Sequence, residues 1–189
     1  MTFYLHAMNS MTNSNDFVLL TNGELASKLE AHLNDLQHYA YSVFIFNTVG
    51  EMLLQQRASS KYHSAGLWSN ACCSHPLCVS PINKIEEQAR KRLNEEMGMD
   101  CNSIHFICMT AYNKRCGYLW ENEIDYIFRG SSDATPHINV EEVKAYKWIS
   151  IEELKSSLNT KPSIFTEWFL EIINKHFDEI VYGITSKQP

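Results

Sequence analysis

The sequence predicts an α+β fold, in which helices cover a mixed β-sheet. Three observations lead to this prediction: strand-like segments fill the first part of the chain, an amphipathic helix follows residue 80, and further strands precede two terminal helices. Strands and helices in this order are typical of a mixed sheet with helices packed on its faces. The 189 residues, 44% of them hydrophobic, are enough to bury one substantial core.

The amphipathic helix is predicted from Ser80-Pro81 to Gly98. Serine can cap the free amides of a first turn, proline suits the first helical position, and glycine is typical of a C-terminal cap. Between these ends, apolar residues recur at helical spacing, namely Ile82, Ile85, Ala89, Leu93 and Met97.

The remaining elements are predicted from apolar alternation and from turn residues. Strands are expected at residues 17–20, 39–46, 51–57, 67–73, 104–112, 120–129 and 143–149. A short polar segment separates the first two strands, and a turn ending at Gly50 joins the second and third in a hairpin. One helix begins at Ser150, with Glu153 in capping-box position. Another follows Pro162, with an apolar side formed by Ile164, Phe165, Trp168 and Ile172.

Composition and charge narrow the classes of partner. The net charge of -6 and the pI near 5.7 leave no basic face for a phosphate backbone, so nucleic acid is not expected as a partner. The sequence has neither an apolar run long enough for a membrane span nor a signal-peptide pattern, which predicts a cytoplasmic protein without membrane contact. We expect a flexible N-terminal tail at residues 1–15 and a single domain at 16–189. Disulfides are not expected, because the six cysteines form no Cys-x-x-Cys pair.

Cys73 and His75 are the first candidate reactive pair. They alternate along a predicted extended segment, so their side chains can point to one face. A neighbouring imidazole and metal site favour the thiolate, which makes Cys73 a candidate base. Without His75 beside it, a buried structural cysteine would be the preferred interpretation.

Dispersed imidazoles and carboxylates form a second candidate group, consisting of His32, His38, His75, Glu121 and Glu123. Taken singly, each is more often a surface or satisfied core residue than a ligand. Together they would make a cage for a metal ion. Imidazole suits zinc, whereas carboxylates suit magnesium or manganese, so the sequence leaves the metal open.

The end of the predicted helix is similar to the Nudix box, a motif with the core Arg-Glu-apolar-x-Glu-Glu-x-Gly. Residues 91–98 read Lys-Arg-Leu-Asn-Glu-Glu-Met-Gly. Glutamates of such a helix hold a divalent cation against a diphosphate, and their hard oxygen ligands suit magnesium. The match is partial, because Arg92 replaces one glutamate and Asn83 stands where an upstream glutamate is expected. For an isolated helix, a solvated charge pair between Arg92 and Glu96 would be the simpler interpretation.

From residue 18 to about residue 177, the sequence resembles type I isopentenyl-diphosphate isomerase, a Nudix-fold enzyme. The motifs that carry the resemblance are Arg57-Ala58-x-Ser60-Lys61, Gly66-Leu67-Trp68-Ser69-Asn70, Cys73-Ser74-His75-Pro76, Glu96-Met97-Gly98, Glu121-Asn122-Glu123, and Pro162 followed by Phe165-x-x-Trp168. The resemblance implies a Nudix-like mixed sheet sandwiched by helices. It also implies an enzyme that converts isopentenyl diphosphate into dimethylallyl diphosphate, and a partial Nudix box is expected in a family that isomerises rather than hydrolyses.

The resemblance further implies roles for individual residues. The implied catalytic residues are Cys73, Glu123 and Tyr112. The implied ligands are His32, His38, His75, Glu121 and Glu123 for a zinc, manganese or magnesium ion, and Glu96 for a magnesium ion that bridges the substrate diphosphate. The implied substrate-binding residues are Lys28, Arg57, Lys61 and Arg92 at the diphosphate, with Trp168 lining the pocket. We expect a monomer that acts on a small diphosphate.

Two other functions fit the residues less well. A Nudix hydrolase acting on a nucleoside diphosphate derivative would need a complete glutamate set, which Arg92 and Asn83 argue against. A structural zinc domain would need paired Cys or His spacing, which the sequence lacks.

Overall fold

The computed structural model describes residues 16–101 and 103–184. The predicted tail at residues 1–15 lies outside the described residues, and the single domain stays a prediction. Within the described part of the chain, no helix combines the length and the apolar character needed to cross a membrane.

Nine strands and four α-helices make up the fold of residues 16–101 and 103–184. The strands are β1 Phe17–Leu19, β2 Leu25–Ser27, β3 His38–Phe46, β4 Met52–Arg57, β5 Trp68–Asn70, β6 Cys72–Ser74, β7 His105–Cys116, β8 Leu119–Ser131 and β9 Val143–Ile149. The helices are α1 Lys28–Leu33, α2 Ile82–Met97, α3 Ile151–Thr160 and α4 Glu167–Val181, and a 3₁₀ turn at Pro162–Ile164 precedes α4.

Strand β3 is the centre of a mixed sheet. It pairs in parallel with β8 and antiparallel with β6, and β8 forms a long antiparallel hairpin with β7. Strand β4 instead pairs with β5 and β9. The predicted hairpin between β3 and β4 is therefore limited to its turn, where Phe46 pairs with Met52. Beyond that pair, β6 pairs with the edge of β3 and β5 pairs with one edge of β4. The predicted strand at 67–73 correspondingly divides into β5 and β6, which join different parts of the sheet.

The two faces of β3 bury different helices. Its odd-numbered residues Val43 and Ile45 pack in one core cluster with α2, and its even-numbered residues Phe44 and Phe46 pack in a second cluster with α4. Side chains alternate between the faces of a strand, so a continuous apolar run is what a doubly covered strand requires. The helices α2 and α4 thus sandwich the sheet, which confirms the predicted α+β class.

Helix α2 follows the predicted apolar spacing closely. Of the five predicted apolar residues, Ile85, Ala89, Leu93 and Met97 are buried, and Ile82 at the helix start is exposed. Gly98 has a φ of 60° and caps the helix in the left-handed conformation, as expected. The capping prediction for Ser80 is wrong. Pro81 itself is the N-cap residue, so Ser80 lies one position too early for its hydroxyl to reach the free amides.

Two other helix boundaries differ from the prediction. The polar segment before β3 contains the short helix α1, which Ser27 caps by accepting a hydrogen bond from the amide of Glu30. The last helix begins at Glu167, so Ile164 and Phe165 precede it instead of lying on its face. The prediction for α3 is confirmed, since Ser150 Oγ accepts from the amide of Glu153.

Candidate active site

One face of the central sheet changes from core to cleft along a single strand. Phe44 and Phe46 belong to the core, whereas Ala40 and Ser42, on the same face of β3, line a cleft of about 550 Å³ that includes its open mouth. The pairing register places Glu123 of β8 beside His38 and Cys73 of β6 beside Ser42. Every predicted site residue except His38 lines this cleft.

The predicted imidazoles and carboxylates come together beside β3. His32 Nε2 lies 3.3 Å from a carboxylate oxygen of Glu121, and His38 Nε2 lies 3.3 Å from Glu123. His75 Nε2 lies 2.9 Å from the same Glu123 oxygen. The donor atoms of His32, His38, His75 and Glu123 all lie within 4.8 Å of one another. Both carboxylates are buried. The five cluster residues come from separate parts of the chain, namely α1, β3, β8 and the segment after β6.

The tautomers of two imidazoles test whether this cluster fits a metal ion. His32 Nδ1 donates to the carbonyl of Lys28 at 2.6 Å, and His38 Nδ1 donates to the carbonyl of Leu36 at 2.8 Å. In a neutral ring the lone pair is then on Nε2, which is buried in both residues and has no hydrogen-bond partner among the described residues. A lone pair facing a carboxylate is stabilised by a proton or a metal ion between them, and the close cluster of four donor atoms fits a divalent ion.

The two cluster carboxylates have different electrostatic environments. Burial and the charge of Glu123 raise the pKa of Glu121. Burial also opposes ionisation of Glu123, but the neighbouring imidazoles of His38 and His75 outweigh it and hold its pKa low. Glu123 is therefore the carboxylate that stays ionised most readily in this cluster.

Cys73 lies in a drier environment than the sequence predicted. Its thiol donates to Asn70 Oδ1 at 3.0 Å, and Trp168 Nε1 donates to its sulfur at 3.2 Å. Burial, followed by the charge of Asp125, raises the pKa of Cys73 to about 12. Without a metal ion, burial thus favours the thiol of Cys73 over the expected thiolate.

A phenol and a second carboxylate adjoin Glu123. The hydroxyl of Tyr112 donates to Glu123 Oε2 and, at 3.0 Å, to Asp125 Oδ2, which also accepts from Ser42 Oγ at 2.8 Å. Sequence reasoning missed Asp125. A signal was present, because Glu121, Glu123 and Asp125 recur with the period of two that places them on one face of β8.

The four predicted diphosphate-binding cations border the cleft together. Burial and the positive charges of Arg57, Arg92 and Lys61 lower the pKa of Lys28, as expected where cations converge. The structure adds Glu142, which the sequence did not indicate. Its Oε2 lies 2.8 Å from Arg92 and also pairs with Lys61.

Glu96 is the acidic residue of α2 that lines the cleft. Its two oxygens are both held, because Gln55 Nε2 donates to Oε2 at 2.8 Å and Arg92 Nε lies 2.8 Å from Oε1. The pair of Arg92 and Glu96 is therefore buried in the site, and the alternative of a solvated surface pair is wrong.

His63 is a further imidazole that sequence reasoning did not place in the site. It lies in the loop between β4 and β5, with Nδ1 at 3.4 Å from Glu121 and its ring edge toward Trp168. Burial and the guanidinium of Arg57 lower its pKa to about 3, so the ring is neutral. His63 lies outside the recognised motifs, which explains why no role was predicted for it.

Comparison with known proteins places this geometry in a family. A model of the NUDIX domain matches residues 36–169. The curated Isopentenyl-diphosphate Delta-isomerase 2 of Photorhabdus laumondii is 41% identical over 149 residues, which are 79% of this chain and 82% of that protein. The chain belongs to the type I isopentenyl-diphosphate delta-isomerase family, within the Nudix superfamily.

Further relatives agree with this placement in the isopentenyl-diphosphate delta-isomerases. The family member from Pectobacterium atrosepticum is 42% identical over 142 residues, covering 75% of this chain and 78% of its own length. The crystal structure of a MutT protein from Methanosarcina mazei superposes with a TM-score of 0.58 at 20% identity, over 76% of this chain and 94% of that one, and supports the fold alone. The resemblance identified from the motifs is confirmed.

Proposed function

We propose that this chain converts isopentenyl diphosphate into dimethylallyl diphosphate. The observation that carries the proposal is that one cleft contains four cationic side chains and a buried His/Glu cluster. The same cleft contains three groups that can transfer protons, those of Cys73, Tyr112 and Glu123. The relatives from Photorhabdus and Pectobacterium are named for an isopentenyl-diphosphate isomerase activity, which supports the same reaction here.

The reaction moves a carbon-carbon double bond by one position. One proton is added at C4 and another is removed from C2, with tertiary carbocation character between the two events. A donor and an acceptor that flank a flat hydrocarbon meet this requirement. Cys73 and Glu123 are proposed as this pair, supported by their positions on β6 and β8 on either side of β3. One donates while the other accepts, the roles reverse in the opposite direction, and Tyr112 assists through its hydrogen bond to Glu123.

Trp168 is proposed to stabilise the developing positive charge. The guanidinium carbon of Arg57 lies 5.0 Å from the centroid of its indole ring, so this ring already faces a cation. Trp168 is also 4% exposed, and its helix α4 covers the same face of the sheet. Exclusion of water by this covering would protect a carbocation from being quenched.

We propose that two metal sites and the cationic side chains together neutralise the negative charge of the diphosphate and of the buried carboxylates. Glu96 would hold Mg²⁺ against the diphosphate, and the His/Glu cluster would hold Zn²⁺, Mn²⁺ or Mg²⁺. These ions would supply positive charge that offsets the diphosphate and the buried carboxylates. Lys28, Arg57, Lys61 and Arg92 would bind the diphosphate, whose binding energy can position the alkene. We also propose that the protein acts as a monomer.

Proton NMR in deuterium oxide tests the reaction directly. Purified protein is incubated with isopentenyl diphosphate and Mg²⁺, and we expect dimethylallyl diphosphate with deuterium at the methyl and C2 positions. If folded protein leaves the substrate unchanged with Mg²⁺, Mn²⁺ and Zn²⁺ in turn, the proposed reaction is wrong. Release of phosphate or of a nucleotide from candidate substrates would then support a hydrolase.

Two substitutions test the proposed acid-base pair. Cys73→Ala and Glu123→Gln should each reduce turnover at least about a hundredfold, since a positioned acid or base contributes about 10²–10⁴-fold. Cys108→Ala is the matched control, because this partly buried cysteine of β7 lies outside the cleft and should retain turnover. Retention of more than about a tenth of the activity would exclude the residue concerned from its role.

A further inference from the structure

His63 extends the His/Glu cluster on the side of Glu121. Its Nδ1 lies 3.4 Å from Glu121 Oε1, while the other oxygen of that carboxylate lies 3.3 Å from His32 Nε2. Glu121 is thus placed between two imidazoles. The ring centroid of His63 is 5.7 Å from that of His32, which compares with 5.5 Å between His32 and His75.

Two groups of potential ligands overlap at His32. The donor atoms of His32, His63 and Glu121 lie within 4.8 Å of one another. The donor atoms of His32, His38, His75 and Glu123 form a second group within the same distance. His32 Nδ1 is occupied by its hydrogen bond to the carbonyl of Lys28. Only Nε2 is left to coordinate, and a single nitrogen lone pair serves one ion. The two groups therefore share the one ion that His32 can bind, and a single centre requires His63 and Glu121 to approach the ion together with the other donor atoms.

We propose that His63 is an additional ligand of this metal centre, so that the chain surrounds its ion with four imidazoles and two carboxylates. The side chain is 9% exposed and reaches Glu121 from the loop between β4 and β5. Four nitrogen donors favour a first-row transition cation such as Zn²⁺ or Co²⁺ over Mg²⁺, which prefers oxygen ligands. This inference rests on the proposed metal centre.

A packing role is the competing explanation for His63. Its ring lies edge-on to Trp168, with centroids 5.8 Å apart, and edge-on to Tyr62 at 4.5 Å. His63→Phe separates the two roles, because phenylalanine keeps an aromatic ring in this position but removes both nitrogens. His63→Ala removes the ring and the nitrogens together. His105→Ala is the matched control, since His105 is an exposed imidazole on β7 outside the cluster.

The test measures metal binding directly, apart from turnover. Metal-free protein is titrated with Co²⁺ under chelator competition, and the visible absorption of the bound ion is recorded. We expect both His63 variants to bind Co²⁺ at least about tenfold more weakly, because even the loss of a group that supports a ligand costs about 10–100-fold. We also expect their spectra to change, while the spectrum and affinity of His105→Ala match the unsubstituted protein.

The outcomes separate this inference from the function on which it rests. If the unsubstituted protein binds Co²⁺ and both variants bind it equally well with the same spectrum, His63 is not a ligand, although the metal centre stands. If the unsubstituted protein binds no Co²⁺, both the inference and the proposed centre fail. Pulsed EPR of the Cu²⁺-loaded unsubstituted protein does not depend on whether a variant folds. We expect it to detect four coordinated imidazoles, and three would overturn the inference.

Discussion

Gln55 connects the stability of the fold to the position of Glu96. It is buried in β4, and its Nε2 donates to the carbonyl of Ala71 at 3.1 Å and to Glu96 Oε2 at 2.8 Å. Gln55→Leu keeps the volume but leaves both acceptors without this donor. A hydrogen bond to a charged group contributes about 1.5–3 kcal/mol and a neutral one about 1 kcal/mol. After partial compensation by the apolar leucine, we expect a loss of about 2–4 kcal/mol.

Thermal unfolding followed by circular dichroism measures this loss. For a chain of this size, 1 kcal/mol shifts Tm by about 2–4 °C, so Gln55→Leu should lower Tm by about 4–16 °C. Gln56→Leu is the matched control on the same strand. The half-buried Gln56 donates one neutral hydrogen bond, to the carbonyl of Gly66 at 2.9 Å, and should lower Tm by about 2–4 °C. If Gln55→Leu lowers Tm no more than the control does, the argument about the buried carboxylate is wrong.

The remaining predictions concern the charges of the site. Glu142→Gln should strengthen binding of inorganic diphosphate up to about fivefold, measured by calorimetry, because it removes the carboxylate that pairs with Lys61 and Arg92, and such pairs are worth at most about 1 kcal/mol. Weaker binding would mean instead that Glu142 positions these cations. Chelation of the metal should lower Tm, since an ion at a hundred times its Kd adds about 2.7 kcal/mol of stability, and added Zn²⁺ or Mn²⁺ should restore it. An unchanged Tm in purified, metal-loaded protein would contradict the proposed centre.

The sequence predicted local elements better than their arrangement. The helical spacing of the apolar residues that end with Leu93 and Met97 predicted α2, because the pattern of an amphipathic helix lies within one segment of the chain. The parallel pairing of β3 with β8 joins residues such as His38 and Glu123, which no local pattern connects. Helix α1 was missed because six residues are too short to show a helical period.

The predicted site residues were recovered because they occur in motifs, and the missed ones lie outside them. Glu142 adjoins β9 without a neighbouring motif, and His63 lies in a polar loop where an isolated histidine carries no structural pattern. The ionisation of Cys73 departs from the prediction for a different reason. Proximity to His75 is visible in the sequence, but burial, which dominates its pKa, depends on how α4 packs over β6.

The packing of α4 makes core stability and site closure depend on the same helix. Phe169 packs against Phe44 in the core, with ring centroids 6.2 Å apart, and also stacks on Phe165 at 5.2 Å. The residue before it, Trp168, donates its indole N–H to Cys73. Because adjacent residues of one helix move together, a substitution that loosens Phe169 also displaces the side chain that covers the thiol. Any loss of turnover from core substitutions in α4 must therefore be compared with the loss of stability before a catalytic role is assigned.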